Sequence, residues 1–217
     1  MDGVIIDSEP LHKEAERVTL SPYGISLSDE ELNSYMGTEA RVLLANYIDR
    51  YSLPVPFVEL YSVYRKNLLR IFEERVEPIP ATIRLIRDLA ASGIRLAVGS
   101  SSHRDLVELV LRKLGITDAF SVVVTGEDAS RSKPHPDIFI ETVRRLGVRP
   151  GACLVIEDSA NGVRAAKAAG IRCLGFRNPT SAGQDLGEAD WIVDSMEAVD
   201  VSRLRNWAEA DPLPTCR

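Results

Sequence analysis

Residues 153–170 read CLVIEDSANGVRAAKAAG, and their pattern indicates the fold class. It opens with a short run rich in β-branched residues, Cys153–Glu157, and continues through small polar residues into a segment with apolar positions at helical spacing. Gly170 closes that segment, as glycine does at helix C-termini, and a second apolar run, Ile171–Phe176, follows at once. A strand, a helix and a strand in direct succession predict a βαβ unit with parallel strands.

The same alternation extends over the C-terminal two-thirds of the chain. Further strands are predicted at residues 94–99, 120–125 and 190–193, and the helical segments between them end at Gly93, Gly115 and Gly147. The strands are apolar almost throughout, which is typical of a sheet covered on both faces. The alternation therefore predicts an α/β fold with a doubly wound parallel sheet.

Residues 9–76 differ from the rest of the chain because they contain no convincing strand. Helices are predicted at residues 10–20, 28–35, 39–51 and 57–74, and Ser28 with Glu31 matches a capping box. Prolines separate the last two helices and mark the return to the α/β part. We therefore predict a helical insert of residues 9–76 in a core formed by residues 1–8 and 77–217.

Composition narrows the class of protein. The net charge is −6 and the pI about 5.2, whereas nucleic-acid-binding proteins are normally basic, so we expect no nucleic-acid partner. No apolar run approaches the roughly 18 residues that span a bilayer, and no signal peptide is visible, so we expect no membrane association. The three cysteines show no pairing or metal-binding motif, which favours reduced thiols in a cytoplasmic protein.

Polar residues follow several predicted strands, where a doubly wound sheet binds its ligands. They are Asp2 in DGVIIDS, Ser100–Ser102 after an apolar strand, Lys133 in SKPHPD, and the pair Glu157 and Asp158. Carboxylates are the hard oxygen ligands that Mg²⁺ shares with substrate phosphates, and lysine and hydroxyl groups neutralise phosphoryl oxygens. The combination indicates a site for Mg²⁺ and a phosphate.

Each segment taken alone has a structural alternative. Asp158 or Ser159 would cap the helix that follows, and Ser100–Ser102 would cap another. Lys133 would be an ordinary loop lysine, and Asp2 would lie in a frayed terminus. The occurrence of all four segments in this order favours the functional interpretation.

These segments resemble the motifs of the haloacid dehalogenase-like hydrolase superfamily, in its phosphatase and β-phosphoglucomutase-like branch. DGVIIDSEPLH resembles the first motif and the start of the cap, VGSSSH the second motif, SKPHPDIF the third and IEDSANGVRAAKAAG the fourth. The resemblance covers nearly the whole chain and implies a Rossmann-like core with an inserted helical cap. It also implies Mg²⁺-dependent phosphoryl transfer, through an aspartyl-phosphate, from a small phosphorylated metabolite such as a sugar phosphate.

The resemblance assigns a role to each motif residue. Asp2 corresponds to the general acid and base, whose main-chain carbonyl also reaches the metal. Ser100 corresponds to the serine that binds the phosphoryl group, and Lys133 to the lysine that steadies the nucleophile and the phosphate. Asp158 is expected to bind Mg²⁺ directly, and Glu157 through a water molecule.

Substrate specificity is expected on the cap and on the loop after the first core strand. We expect His12, Gly37 and Arg41 to bind substrate, together with Ser101 and Ser102. Arg41 would hold a second phosphate or a carboxylate, although a solvated helix arginine is an equal alternative.

Two alternatives to a phosphatase stay open. In a mutase of this branch a cap lysine is expected near position 68, where this chain has Leu68, with Lys66 and Arg70 close by. This weakens the mutase alternative without excluding it. A protein that binds phosphorylated metabolites without turnover is the other alternative, and we expect a monomer or a weak homodimer in each case.

The chain departs from the family at the nucleophile. The attacking aspartate belongs two residues before Asp2, and Met1 occupies the intervening position. Neither this aspartate nor the strand expected before it is present. We expect a start site placed too late and a functional protein longer by about one strand of typical length. A remnant without a nucleophile, which would be a poor catalyst, is the alternative.

Overall fold

The computed structural model describes residues 1–35, 38–181 and 183–210. The chain forms two compact units, which we call the core unit (Met1–Asp7 and the chain from Glu77 onward) and the helical unit (Ser8–Val76). None of the helices in the described part of the chain has both the length and the apolar character needed to cross a membrane.

The helical unit consists of α1 (Glu9–Leu20), α2 (Asp29–Ser34), α3 (Ala40–Tyr51) and α4 (Phe57–Arg75), close to the predicted bounds. Both α1 and α3 pack against α4, and the side chains of Leu20, Leu44 and Phe72 are fully buried. The predicted capping box at Ser28 and Glu31 forms only in part. Ser28 accepts a hydrogen bond from the Glu31 amide at 3.1 Å, but the Glu31 carboxylate contacts Tyr51 and Arg50.

A buried polar pair lies inside the helical unit. Glu16 is only 7% exposed, and its Oε2 accepts a hydrogen bond from the Tyr47 hydroxyl at 2.8 Å. Burial raises the pKa of Glu16 from 4.5 to about 7, because a charged carboxylate loses its hydration there. The hydrogen bond from Tyr47 opposes this rise only in part.

The core unit contains all of the predicted strands, each slightly shorter than its apolar run. They are β1 (Leu96–Gly99), β2 (Phe120–Val124), β3 (Leu154–Glu157), β4 (Arg172–Phe176) and β5 (Trp191–Val193). β1 pairs with β2, and β4 pairs with both β3 and β5, always in parallel. The α/β fold with parallel strands is therefore confirmed, although the described strands form two ladders and not one continuous sheet.

In the described part of the core unit, three α-helices connect successive strands, one precedes β1 and one follows β5. They are α5 (Pro80–Ala91), α6 (Arg104–Lys113), α7 (Asp137–Leu146), α8 (Ala160–Ala168) and α9 (Val201–Ala210). The glycines that were predicted to end α5 to α8 all adopt left-handed backbone angles, with φ between 63° and 73°. The βα connections begin at the carboxyl ends of the strands, where the predicted site residues Ser100, Glu157 and Asp158 lie.

The two tryptophans of the chain stack on each other in the core unit. Trp191 of β5 and Trp207 of α9 lie nearly parallel, with ring centroids 5.1 Å apart. The guanidinium groups of Arg172 and Arg203 lie over the Trp191 and Trp207 rings respectively. This stack fixes α9 against the edge of the β3–β4–β5 ladder.

Candidate active site

Asp2 lies beside the carboxyl end of β1. The Ser102 hydroxyl donates to its Oδ2 at 2.9 Å, and the Ser100 hydroxyl lies 3.3 Å from the same oxygen. Ser100 is buried, and its amide bonds to the Val124 carbonyl at 3.0 Å, which continues the β1–β2 ladder by one residue. The strand pairing therefore fixes the serine loop, and the serine loop holds the Asp2 carboxylate.

Lys133 and Glu157 form a buried ion pair at the end of β3. Their side chains are only 12% and 9% exposed, and the Lys133 ammonium also lies 3.4 Å from the Gly99 carbonyl at the end of β1. Lys133 thus bridges the ends of the two ladders. Burial alone would raise the pKa of Glu157, but the charge of Lys133 outweighs it and keeps this pKa below its usual value.

The start of α8 surrounds the Glu157 carboxylate. Ser159 is the N-cap residue, accepting from the Gly162 amide at 3.0 Å while its hydroxyl donates to Glu157 Oε2 at 3.1 Å. A Cβ at position 162 would collide with the Glu157 carboxylate, so glycine is required there. The capping alternative is correct for Ser159, and it coexists with a role in the site.

Asp158 carries the second carboxylate of the pair. Its Oδ2 accepts from the Ser181 hydroxyl at 3.0 Å. Burial, followed by the negative charge of Glu157, raises the pKa of Asp158 to about 6. Gly3 approaches this carboxylate so closely that an added Cβ would overlap it, and its φ of 65° also favours glycine.

The oxygen groups here fit Mg²⁺ as a site completed by substrate. Within the described residues, no three His, Cys, Asp or Glu side chains come together closely enough to hold a metal by themselves. The Asp158 carboxylate lies against Gly3, the residue after Asp2, and the negative charge of Asp2 contributes to the raised pKa of Asp158. Mg²⁺ commonly binds one or two carboxylates and completes its shell with water and substrate phosphate oxygens. This donor set suits that mode of binding.

The predicted substrate-binding residues are not all in this cluster. Ser102 bonds to Asp2, whereas the Ser101 side chain is exposed. Within the helical unit, His12 Nδ1 lies 3.4 Å from the Tyr64 hydroxyl, and the Arg41 guanidinium lies over the Tyr61 ring at 4.9 Å. Gly37 lies outside the described residues.

Three polar residues that follow β4 were not predicted from the sequence. Asn178 donates to the Gly3 carbonyl, Thr180 donates to Asp7, and Ser181 donates to Asp158. With Arg177, Gln184 and Leu186, parts of this segment line a cavity of about 100 Å³ beside Asp158. The available signal was their position, since they come directly after an apolar strand, as Ser100 does.

Comparison with known proteins shows which family the chain belongs to. The sequence profile of the haloacid dehalogenase-like hydrolases matches residues 1–176. The chain belongs to the haloacid dehalogenase-like hydrolase family. It is 31% identical over 191 residues to the phosphorylated carbohydrates phosphatase of Thermotoga maritima, covering 87% of this chain and 88% of the relative. It is also 31% identical over 208 residues to the bifunctional riboflavin kinase/FMN phosphatase of Arabidopsis thaliana, covering 95% of this chain but only 54% of that protein.

A solved structure of this haloacid dehalogenase-like family has the same fold. The crystal structure of CbbY from Rhodobacter sphaeroides in complex with phosphate superposes with a TM-score of 0.85 at 27% identity, covering 94% of this chain and 96% of that chain. The predicted Rossmann-like fold and the family are thereby confirmed. The prediction of an enzyme of the phosphatase type is confirmed at the level of the family, since the chain matches the hydrolase family and a named phosphatase.

Proposed function

We propose that the chain is a Mg²⁺-dependent phosphomonoesterase acting on a small phosphorylated metabolite, such as a sugar or polyol phosphate. The observation that carries the proposal is the placement of the Asp2 carboxylate. Two serine hydroxyls hold it at the carboxyl end of β1, near enough for its charge to act on Asp158, and Lys133 of the Lys133–Glu157 pair reaches the same strand end. The names of a phosphorylated carbohydrates phosphatase and of a phosphate complex among its relatives support phosphate chemistry.

In this proposal the chain's own residues divide the work. Asp2 gives a proton to the leaving oxygen and later takes one from the attacking water, while Ser102 and Ser100 hold its carboxylate in place. Ser100 and Lys133 are positioned to bind phosphoryl oxygens, and Asp158 and Asp2 would hold Mg²⁺, with Glu157 reaching it through water. The metal supplies charge neutralisation of the phosphoryl group when it is bound.

Residues 1–217 contain no residue at the position of the attacking aspartate that the family motif implies. The assay therefore compares the 217-residue chain with a chain extended by the upstream codons of its reading frame. In the longer chain we propose covalent catalysis through an aspartyl-phosphate. His12, Gly37 and Arg41 stay predictions for substrate binding, as does the role of residues 9–76 as a cap.

A panel of sugar and polyol phosphates tests the function by release of inorganic phosphate with Mg²⁺ and with a chelator. We expect release that needs Mg²⁺ and that falls by at least about a hundredfold in Asp158→Asn. The control Asp185→Asn makes the same exchange at an exposed position after β4 and should leave release unchanged. No release from any form, despite binding of a substrate, would show a non-catalytic binding protein.

The mutase alternative is disfavoured. Leu68, which stands where the mutase lysine is expected, is buried inside the helical unit, whereas Lys66 is exposed. Isomerisation of a sugar 1-phosphate without net phosphate release would establish the mutase instead. We also propose that the enzyme is cytoplasmic, since Cys153 and Cys173 are free thiols. We propose further that it is a monomer or a weak homodimer.

A further inference from the structure

A short segment directly after β4 makes side-chain hydrogen bonds to two parts of the candidate site. Asn178 Nδ2 donates to the Gly3 carbonyl at 2.9 Å, in a buried position. Ser181 Oγ donates to Asp158 Oδ2 at 3.0 Å. The segment Asn178–Ser181 therefore contacts both the chain that carries Asp2 and the second candidate metal ligand. None of these residues belongs to the motifs on which the family resemblance is based.

Thr180 fixes the orientation of the Asn178 amide. The Thr180 main-chain N–H donates to Asn178 Oδ1 at 2.9 Å, so the oxygen of the amide faces Thr180 and its NH₂ group faces Gly3. The Thr180 hydroxyl lies 2.8 Å from the same Asn178 oxygen and 2.6 Å from Asp7 Oδ1. Asn178 and Thr180 thus hold the first segment of the core unit at both Gly3 and Asp7.

The hydrogen bond from Asn178 to the Gly3 carbonyl bears on the position of the neighbouring residue Asp2. Gly3 immediately follows Asp2, and its backbone has the left-handed φ of 65° that brings the chain against Asp158. A shift of the Gly3 carbonyl would therefore move the Asp2 carboxylate away from Ser102 and Ser100. Catalytic groups tolerate little displacement, since an error of about 1 Å can cost about a hundredfold in rate.

We propose that Asn178 is a positioning residue of the catalytic centre: through its hydrogen bond to the Gly3 carbonyl it sets the position of the Asp2 carboxylate. Thr180 supports it by orienting the amide. This inference rests on the proposed phosphatase function for its kinetic part. Its structural part, the holding of residues 1–8 by Asn178, stands on the hydrogen bonds alone.

The test uses the full-length enzyme, including any residues encoded before Met1, and the isosteric variant Asn178→Asp. This change keeps the acceptor for Thr180 but replaces the donor to Gly3 by a second acceptor. With p-nitrophenyl phosphate and saturating Mg²⁺, we expect kcat to fall by about tenfold to a hundredfold. KM should stay within about twofold, because binding of the substrate phosphate is not the function that is lost.

Hydrogen exchange read by mass spectrometry supplies a second readout that does not need turnover. In Asn178→Asp, the peptide covering residues 1–8 should exchange faster, while β1 and β2 keep their protection. Asp185→Asn is the matched control, since it makes the reverse amide and carboxylate exchange on the same loop. It should change neither the kinetics nor the exchange.

Asn178→Ala keeps the test decisive if Asn178→Asp does not fold, because it removes the donor to the Gly3 carbonyl without adding a charge, and it should show the same kinetic pattern. An unchanged kcat in folded variants, or unchanged exchange of residues 1–8, would overturn the proposal. Faster exchange throughout the core unit would also overturn it, because that indicates general destabilisation. If the unsubstituted enzyme releases no phosphate, the proposed function fails, whereas the exchange of residues 1–8 still decides whether Asn178 holds this segment.

Discussion

Replacing Lys133 by Met separates the stability of the site from its chemistry. The Lys133 and Glu157 side chains are 12% and 9% exposed, so the substitution leaves an almost fully buried carboxylate without its counter-charge. Among the described residues, the Ser159 hydroxyl is the one remaining donor to that carboxylate. Removing one partner of a buried ion pair costs about 3–5 kcal/mol of unfolding free energy, because the remaining charge is not solvated. We expect Lys133→Met to lose stability in this range.

The double variant Lys133→Met with Glu157→Gln removes both charges and should recover most of that loss, since a neutral pair of similar volume is often as stable as the ion pair. Neither variant should release phosphate. Urea unfolding measures the stability, and Lys167→Met is the control. Its partner Asp190 is more exposed, so we expect a cost of about 1 kcal/mol or less. A double variant no more stable than Lys133→Met would refute the assignment of this cost to an unpaired Glu157.

Three further substitutions test other parts of the molecule. Glu16→Gln keeps an acceptor for Tyr47. Because the pKa of Glu16 is raised in the folded state, the wild-type protein loses stability as pH rises from 4.5 through about 7. The free energy of unfolding of the variant, measured in urea, should therefore equal that of the wild type at low pH and exceed it by about 3 kcal/mol above pH 8. Gly3→Ala forces a Cβ into the Asp158 carboxylate at a left-handed φ, and phosphate release should fall by at least about tenfold while urea unfolding shows a loss of about 1–3 kcal/mol. Ser102→Ala removes one hydrogen bond to a carboxylate, so we expect kcat to fall by about tenfold with thermal stability nearly unchanged; equal activity would contradict a role in holding that carboxylate.

The strands and the helix ends were predictable because they depend on local pattern. A short apolar run, such as the one that ends at Glu157, favours a strand whatever the rest of the chain does. A glycine such as Gly170 likewise favours the end of a helix. The candidate site residues were proposed from their position after strands and from the family motifs. The pairing of Lys133 with Glu157 was not predicted from the sequence.

Contacts that depend on tertiary placement were not predictable in the same way. The Glu31 carboxylate does not complete the predicted capping box, because it accepts a hydrogen bond from the hydroxyl of Tyr51, 20 residues further along the chain. The hydrogen bond from Asn178 to Gly3 joins residues 175 positions apart, so no local sequence pattern predicts it. Burial of Glu16 likewise follows from the packing of whole helices and not from the residues beside it.

The distribution of aromatic residues has a practical consequence. Both tryptophans lie in the stack between β5 and α9 of the core unit, and all of the tyrosines, from Tyr23 to Tyr64, lie in the helical unit. The chain therefore carries a separate optical reporter in each unit without any label. Selectively excited tryptophan emission follows the core unit, and tyrosine absorbance differences follow the helical unit. Coincident or separate transitions of the two signals would reveal whether the units unfold as one cooperative body or independently.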